Sequence, residues 1–470
     1  MSNLTDDDTD FSAVAALQAN DRNSHSVLNA RLQKLANRTA HLRTKLITNR
    51  PMFNLLDYGG VADGDSNDPT DNYEAIKSLA TAVNAAGGGT VVFPPGTYYV
   101  GSYKSAVTSV SYGTTANSIT DIQWTDLDGV HFVGYGAKFK TTGNFHRQLY
   151  LASGTAGYTR SGMSPVGLFE FIRCNNLIAE GFEVDGGVYE MRKVSAYILG
   201  GTWVNGDVIN FAVDGNLETT TVSGGLTSLT QVATAVAATI NNAFGNLVEA
   251  AVIGTTGVFT VTPMSTDGPK VSFDLGYGSD DGTLTAAAGV SEANLSMGVQ
   301  VSACTNVVLR NLNLHHIGCD GIYTSSSNGM LVEGVTCSNN GRQGMSITSG
   351  ENLHFVGCQF SYTGVTEMDG ESTAVYGNHA PRSGVDIEPN GTTSTCRNIF
   401  FSDCVFEGNV GTQIAISGAQ TRDVVFHGCR VDSSANWCYT AGLIPTAKDV
   451  VFDSCNIVLG DSTIWNCYDT

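Results

Sequence analysis

Positive charge is scarce in this sequence. In 470 residues, 24 Lys and Arg stand against 44 Asp and Glu, a net charge of −20. So acidic a chain repels phosphate, which excludes nucleic acid held through its backbone and disfavours docking on anionic membranes. No apolar run is long enough to cross a bilayer, so membrane insertion is not expected. The opening MSNLTDDDTDFS lacks the basic-then-apolar profile of a secretory signal, and the chain is expected to be soluble and not conventionally secreted. Charged residues are scarce at 14% while glycine reaches 54, a balance that suits tight turns and strands better than exposed helix. None of the eleven cysteines forms a CxxC pair or a Cys/His cluster at zinc spacing, so no metal site is read here.

What is present is one short phrase that keeps returning around a cysteine. It reads EGVTCSNN at Cys337, FVGCQFSY at Cys358, FSDCVFEG at Cys404, FHGCRVDS at Cys429 and FDSCNIVL at Cys455, with gaps of 21, 46, 25 and 26 residues. The runs NVVLRNLNL, NLHFVGCQF, NIFFSDCVF, DVVFHGCRV and DVVFDSCNI alternate apolar and polar with period two, not with the i, i+3, i+4 spacing of a helix. Short strands repeating every 20 to 26 residues describe a solenoid, in which each unit buries its apolar side on its neighbours. The fold class is therefore all-β, a parallel β-helix. Cysteines at one position of successive coils would stack into an inward column of free thiols behaving as small hydrophobes. Such thiols fit assembly in a reducing cytosol.

Four segments are expected. Residues 1–50 hold Leu28, Leu32, Leu35, Thr39, Leu42 and Leu46 at alternating spacings of four and three, a short a/d heptad pattern ended by Pro51. It reads as an anchoring or oligomerisation helix. Residues 51–200 carry the solenoid entry and first coils, with a helix over Thr70–Ala86 capped by Thr70 or Asp71. Residues 201–297 break the rhythm and read as a small inserted α+β domain, with a hairpin turn at Asp214–Gly215 and a helix at about Leu229–Phe244. Residues 298–470 return to the coils.

The stretch NLLDYGGVADGDSNDPTDNYEAIKSLA followed by GGGTVVFPPGTYYV strongly resembles the entry module of the pectate-lyase-like right-handed β-helix proteins. That group includes many bacteriophage tailspikes that depolymerise host capsule or lipopolysaccharide. The resemblance implies a right-handed solenoid and a virion tailspike or tail appendage assembled in the host cytoplasm. It further implies a homotrimer that binds a bacterial surface polysaccharide and attaches to other virion tail proteins through its N-terminal segment. A structural or adhesive spike without catalysis is the competing reading.

The glycines of DGIYTSS (Gly321), QGMSITS (Gly344) and SGVDIEPN (Gly384) align three coils. Strand alternation then stacks Tyr323, Ser346 and Asp386 in one outward column. Asp320, Gln343 and Ser383 form the column before it, and Ser325, Thr348 and Glu388 the column after. The resemblance makes this strand the sugar-binding groove. Asp386 and Glu388 at i and i+2 point to one face with their Cα atoms roughly 6.5–7 Å apart, and carboxylates about 6.5–9.5 Å apart suit an inverting glycosidase. Glu388 is taken as the acid and Asp386 as the base, with Asp320 beside them. Tyr323, Tyr362 and Tyr376 are candidates to stack on sugar rings, and Ser346 and Gln343 to bind substrate. Asp185, near Glu183 and Glu190, is a secondary candidate, while His315 and His316 read as turn or ladder residues. No cofactor is expected for hydrolysis. A lyase would use His379 or Arg382 as proton abstractor, with calcium a possible cofactor. Neither the Gly-His-Gly of polygalacturonases nor an intact pectate-lyase set is present, so only the scaffold carries over.

Overall fold

In Thr305–Arg310, Val307 and Leu309 are buried while Val308 and Arg310 are only partly so, and the same alternation recurs in every coil. A strand with one apolar face is stable only when that face meets others, and here the partner strands come from the coils above and below. The computed structural model describes residues 51–66, 69–101, 122–141, 147–150, 166–187, 195–213, 215–226, 228–245, 247–253, 257–263, 271–272, 282–286, 291–294, 296–364, 382–391, 393–434, 440–443 and 446–459. The heptad segment lies outside them.

Each coil gives one strand to each of three parallel sheets, which comprise ten, nine and eight strands among the described residues. The coil from Asp320 to Ser338 shows the path. Asp320–Ser325 lies in the eight-strand sheet, Ser327–Glu333 in the ten-strand sheet and Thr336–Ser338 in the nine-strand sheet. The right-handed parallel β-helix expected from the sequence is the observed fold.

Coils turn from the ten-strand to the nine-strand sheet through a left-handed residue: Asn311, Gly334, Gly357, Asp403, Gly428 and Ser454 all have φ between 51° and 64°. This corner sets the register, and it corrects the cysteine alignment. Cys337 pairs with Phe360. Cys358 instead stacks on Val335, since the amide of Gln359 donates to Val335 O at 2.9 Å. Cys358, Cys404, Cys429 and Cys455 do form one column, and each Sγ donates to a carbonyl of the preceding coil at 3.3–3.6 Å. The nine cysteines within the described residues are free thiols, eight of them buried. Beside this column Phe355, Phe401, Phe426 and Phe452 stack with ring centroids 4.4, 4.8 and 4.7 Å apart. Each such aromatic pair contributes about 0.5–1.5 kcal/mol beyond its buried area.

At the entry, the helix Tyr73–Ala86 lays Ile76, Leu79, Ala80 and Val83 on the core. It begins three residues later than expected because the residues before it hold the chain's path. Asn72 bonds Val61 N at 2.7 Å and Tyr99 O at 3.0 Å, and Asp71 Oδ1 accepts from Tyr73 N at 3.0 Å.

The inserted segment has its own core, with Trp203, Phe211, Val236, Ile240 and Phe259 buried together. Its helix spans Leu229–Phe244, opened by a Ser228/Gln231 capping box. The antiparallel set starts before residue 201, because Ser195–Gly201 pairs with Val258–Pro263 and Gly282–Ala286 rather than with a coil. The chain is back on the solenoid at Ser296–Ser302.

Candidate active site

The glycine column is a requirement of stacking. A Cβ on Gly321, Gly344 or Gly384 would lie 2.5–2.7 Å from the backbone carbonyl oxygen of the next coil. With that register set, Tyr323 pairs with Ser346 and Ser346 with Asp386, as expected, and Asp320 pairs with Gln343. Inward neighbours Val385 and Ile387 are fully buried, so Asp386 projects from the outer face of the eight-strand sheet.

The outer face here is not open. Asp320 and Gln343 have no exposed surface, Ser346 is 2% exposed and Asp386 7%. These side chains form one connected network. Gln343 Nε2 donates to Asp386 Oδ2 at 2.6 Å, and Arg342 donates to Gln343 Oε1 and Ser346 Oγ, each at 3.2 Å. Ser346 Oγ donates to Asp320 Oδ2 at 2.7 Å. Arg342 Nε lies 2.9 Å from Asp320 Oδ1, although its N–H is not aligned as a hydrogen bond, so the attraction is Coulombic.

Burial separates the two central carboxyls. Asp386 is desolvated and stands near the Glu388 charge, which together push its pKa up to about 7. Glu388 follows the strand Val385–Ile387 and is exposed. The sequence reading took Glu388 as the acid, whereas burial makes Asp386 the carboxyl that retains a proton near neutrality.

Asp320 is likewise raised by burial, against the opposing pull of Arg342. It has no exposed surface, Oδ2 accepting from Ser346 and Oδ1 lying against the Arg342 charge. Gln343 and Ser346 are buried in the same way, Gln343 bonded to Asp386 and Ser346 to Asp320. Tyr323 is half-buried, its hydroxyl accepting from Thr348 Oγ1 at 3.0 Å. Arg382 occupies a left-handed corner at φ 56°, while His379 and Tyr376 lie outside the described residues. Asp185 is elsewhere, on the nine-strand sheet with Lys138, Glu183 and His315.

Sequence reasoning missed Arg342. In GRQG it carried no motif, and only stacking brings it against Asp320 of the preceding coil.

Residues 297–457 match the family model described as right handed beta helix region. No curated protein sequence matches the chain. Similar solved structures include ORF18 of Geobacillus virus E2, at 13% identity and TM-score 0.38, covering 92% of this chain and 62% of that one. Another is the tailspike gp49 of Acinetobacter baumannii bacteriophage Fri1, a capsular polysaccharide depolymerase, at 10% identity and TM-score 0.39, covering 86% and 50%. The surface adhesin PfbA of Streptococcus pneumoniae is similar at 12% identity and TM-score 0.40, covering 88% and 74%. The chain thus spans between half and two thirds of the length of the two viral proteins.

Proposed function

We propose that this chain, a right-handed β-helix region over residues 297–457, is a phage tailspike or tail appendage that hydrolyses a bacterial surface polysaccharide. The observation that carries this reading is a pair of neighbouring outer-face carboxyls in opposite environments, Asp386 buried with its pKa near 7 and Glu388 exposed. In the proposed step Glu388 takes a proton from water as the water oxygen bonds to the anomeric carbon. The glycosidic C–O bond breaks, and the leaving oxygen receives the proton held by Asp386. Tyr323 would face the sugar chain from the neighbouring coils. The entry segment's resemblance to depolymerising tailspikes supports the virion assignment. Among the described residues no helix is long and apolar enough to cross a membrane.

Purified protein incubated with capsule and lipopolysaccharide tests the chemistry. New reducing ends without ultraviolet absorbance from unsaturated uronates are the expected outcome. Absorbance together with reducing ends would mean β-elimination and move attention to His379 and Arg382. Binding without either product would leave an adhesive spike.

A second feature supports assembly as a homotrimer. On the outer face of the ten-strand sheet, Ile178, Val308, Leu331, Phe400, Val425 and Val451 fall in one register column, interrupted only by His354. Rungs about 4.8 Å apart make this an apolar stripe along the solenoid, able to meet the same stripe on copies related by a parallel axis. Val425→Lys is expected to yield monomers in sedimentation while leaving the melting transition of the coils in place. An unchanged assembly would reject the stripe as the interface.

A further inference from the structure

A second polar cluster stands apart from the proposed cleavage site and makes no use of it. Lys138, Glu183, Asp185 and His315 come from three stacked strands of the nine-strand sheet, and His316 is the left-handed corner residue that follows. The ion pairs explain only part of it. Lys138 Nζ lies 3.1 Å from Glu183 Oε1 and 3.0 Å from Asp185 Oδ2. Asp185 Oδ1 accepts from Gly187 N at 3.1 Å and faces the histidines as well. Asp185, His315 and His316 each present a ligand atom, all within 4.8 Å of one another. His315 Nδ1 is 3.9 Å from Asp185 Oδ1 and 2.7 Å from His316 Nδ1.

The surroundings prepare these atoms for a cation. His315 Nε2 is 3.0 Å from Glu183 Oε1, so that nitrogen carries the proton and Nδ1 holds the lone pair. This is the arrangement in which an outer carboxylate orients a ligating histidine. Two carboxylates against one ammonium leave a net negative charge for a dication to offset.

We infer that Asp185, His315 and His316 form a binding site for a divalent transition-metal ion of the zinc class, with water completing the coordination. Two imidazole nitrogens and one carboxylate oxygen suit zinc, and the absence of a thiolate in the set separates it from the cysteine columns. Coordination through His316 Nδ1 would move the proton it now shares with His315 Nδ1 to His316 Nε2. Its consequence is architectural. The chain leaves the coils just after Asp185 for the inserted segment, and His315 lies 130 residues later (315 − 185). An ion bridging them would add a second tie across an excursion that the pairing of Asp185 with His315 already closes.

Full-length protein stripped with chelator and titrated with Co2+ tests this. The expected result is stoichiometric visible d–d absorption without thiolate charge transfer, displaced by Zn2+, together with a rise of a few degrees in melting temperature under excess zinc. Both signals should weaken at least about tenfold in His316→Ala and in Asp185→Asn, and also in Glu183→Gln, which removes the orienting carboxylate. Asp386→Asn should keep them. The site is refuted by no cobalt spectrum in the wild type, by a thiolate band, or by binding that survives both ligand substitutions. If His316→Ala does not fold, the isosteric Asp185→Asn decides. None of these outcomes depends on whether the protein cleaves a polysaccharide.

Discussion

Asp386→Asn is expected to abolish polysaccharide cleavage and, at about pH 8, to leave the protein more stable than the wild type. Loss of a general acid costs roughly 10²–10⁴-fold in rate, and an amide cannot deliver the proton. The stability gain follows from the same property that makes the residue useful. Its folded pKa of about 7 lies above its ordinary value of 3.8. Below about pH 4 both states hold the proton and the native state bears no penalty. Between about 4 and 7 the unfolded chain ionises while the folded protein stays protonated, so stability falls as pH rises. Above about 7 the carboxylate is ionised where it is 7% exposed, and the accumulated cost is on the order of 4 kcal/mol, at about 1.4 kcal/mol per pH unit. Asparagine has no such ionisation, and its carbonyl oxygen can still accept the bond that Gln343 donates at 2.6 Å to Asp386. Thermal melts of both proteins should therefore coincide near pH 4 and diverge by pH 8, with the variant higher. Wild-type activity should fall as pH rises through about 7. Equal melts at both pH values would mean that Asp386 ionises normally and would remove the basis for its role as the acid.

The scaffold was legible because its signals are local. Alternation such as Val307 and Leu309 in, Val308 and Arg310 out, is written in consecutive residues, and so was the helix Leu229–Phe244, recovered at both ends. The Tyr323–Ser346–Asp386 column was legible as well, since glycines at a position that tolerates no Cβ mark the register. What failed had no local signature. Cys337 looks like Cys358 in sequence, but the left-handed Gly334 and Gly357 decide which residues stack, and they place Cys358 on Val335. Spacing gave Asp386 and Glu388 a plausible separation and said nothing of burial, which favours Asp386 as the carboxyl that holds a proton. Arg342, which lies one coil from Asp320 and pairs with it, had no local signature either.

Arg342→Met is expected to destabilise the protein by about 3–5 kcal/mol near pH 8, the usual cost of stranding one member of a buried ion pair. Asp320 has no exposed surface and would keep a carboxylate whose nearest cation is gone. Burial already raises its pKa with Arg342 present, and removal of the guanidinium raises it further. The sign of the pH effect follows. A folded pKa above the unfolded one contributes stability that is fully present below the unfolded value and is lost as pH rises through the folded one. The variant should therefore approach wild-type stability in acid and fall away from it in base. Asp320→Asn/Arg342→Met removes both charges and should recover much of the loss, the positive coupling that a double-mutant cycle measures for a contacting pair. The double variant should not recover cleavage, because Gln343 loses the Arg342 bond to its Oε1 that turns Nε2 toward Asp386. If the single and double variants are equally unstable at every pH, Arg342 is acting through packing alone. The charge network would then have no part in holding the site.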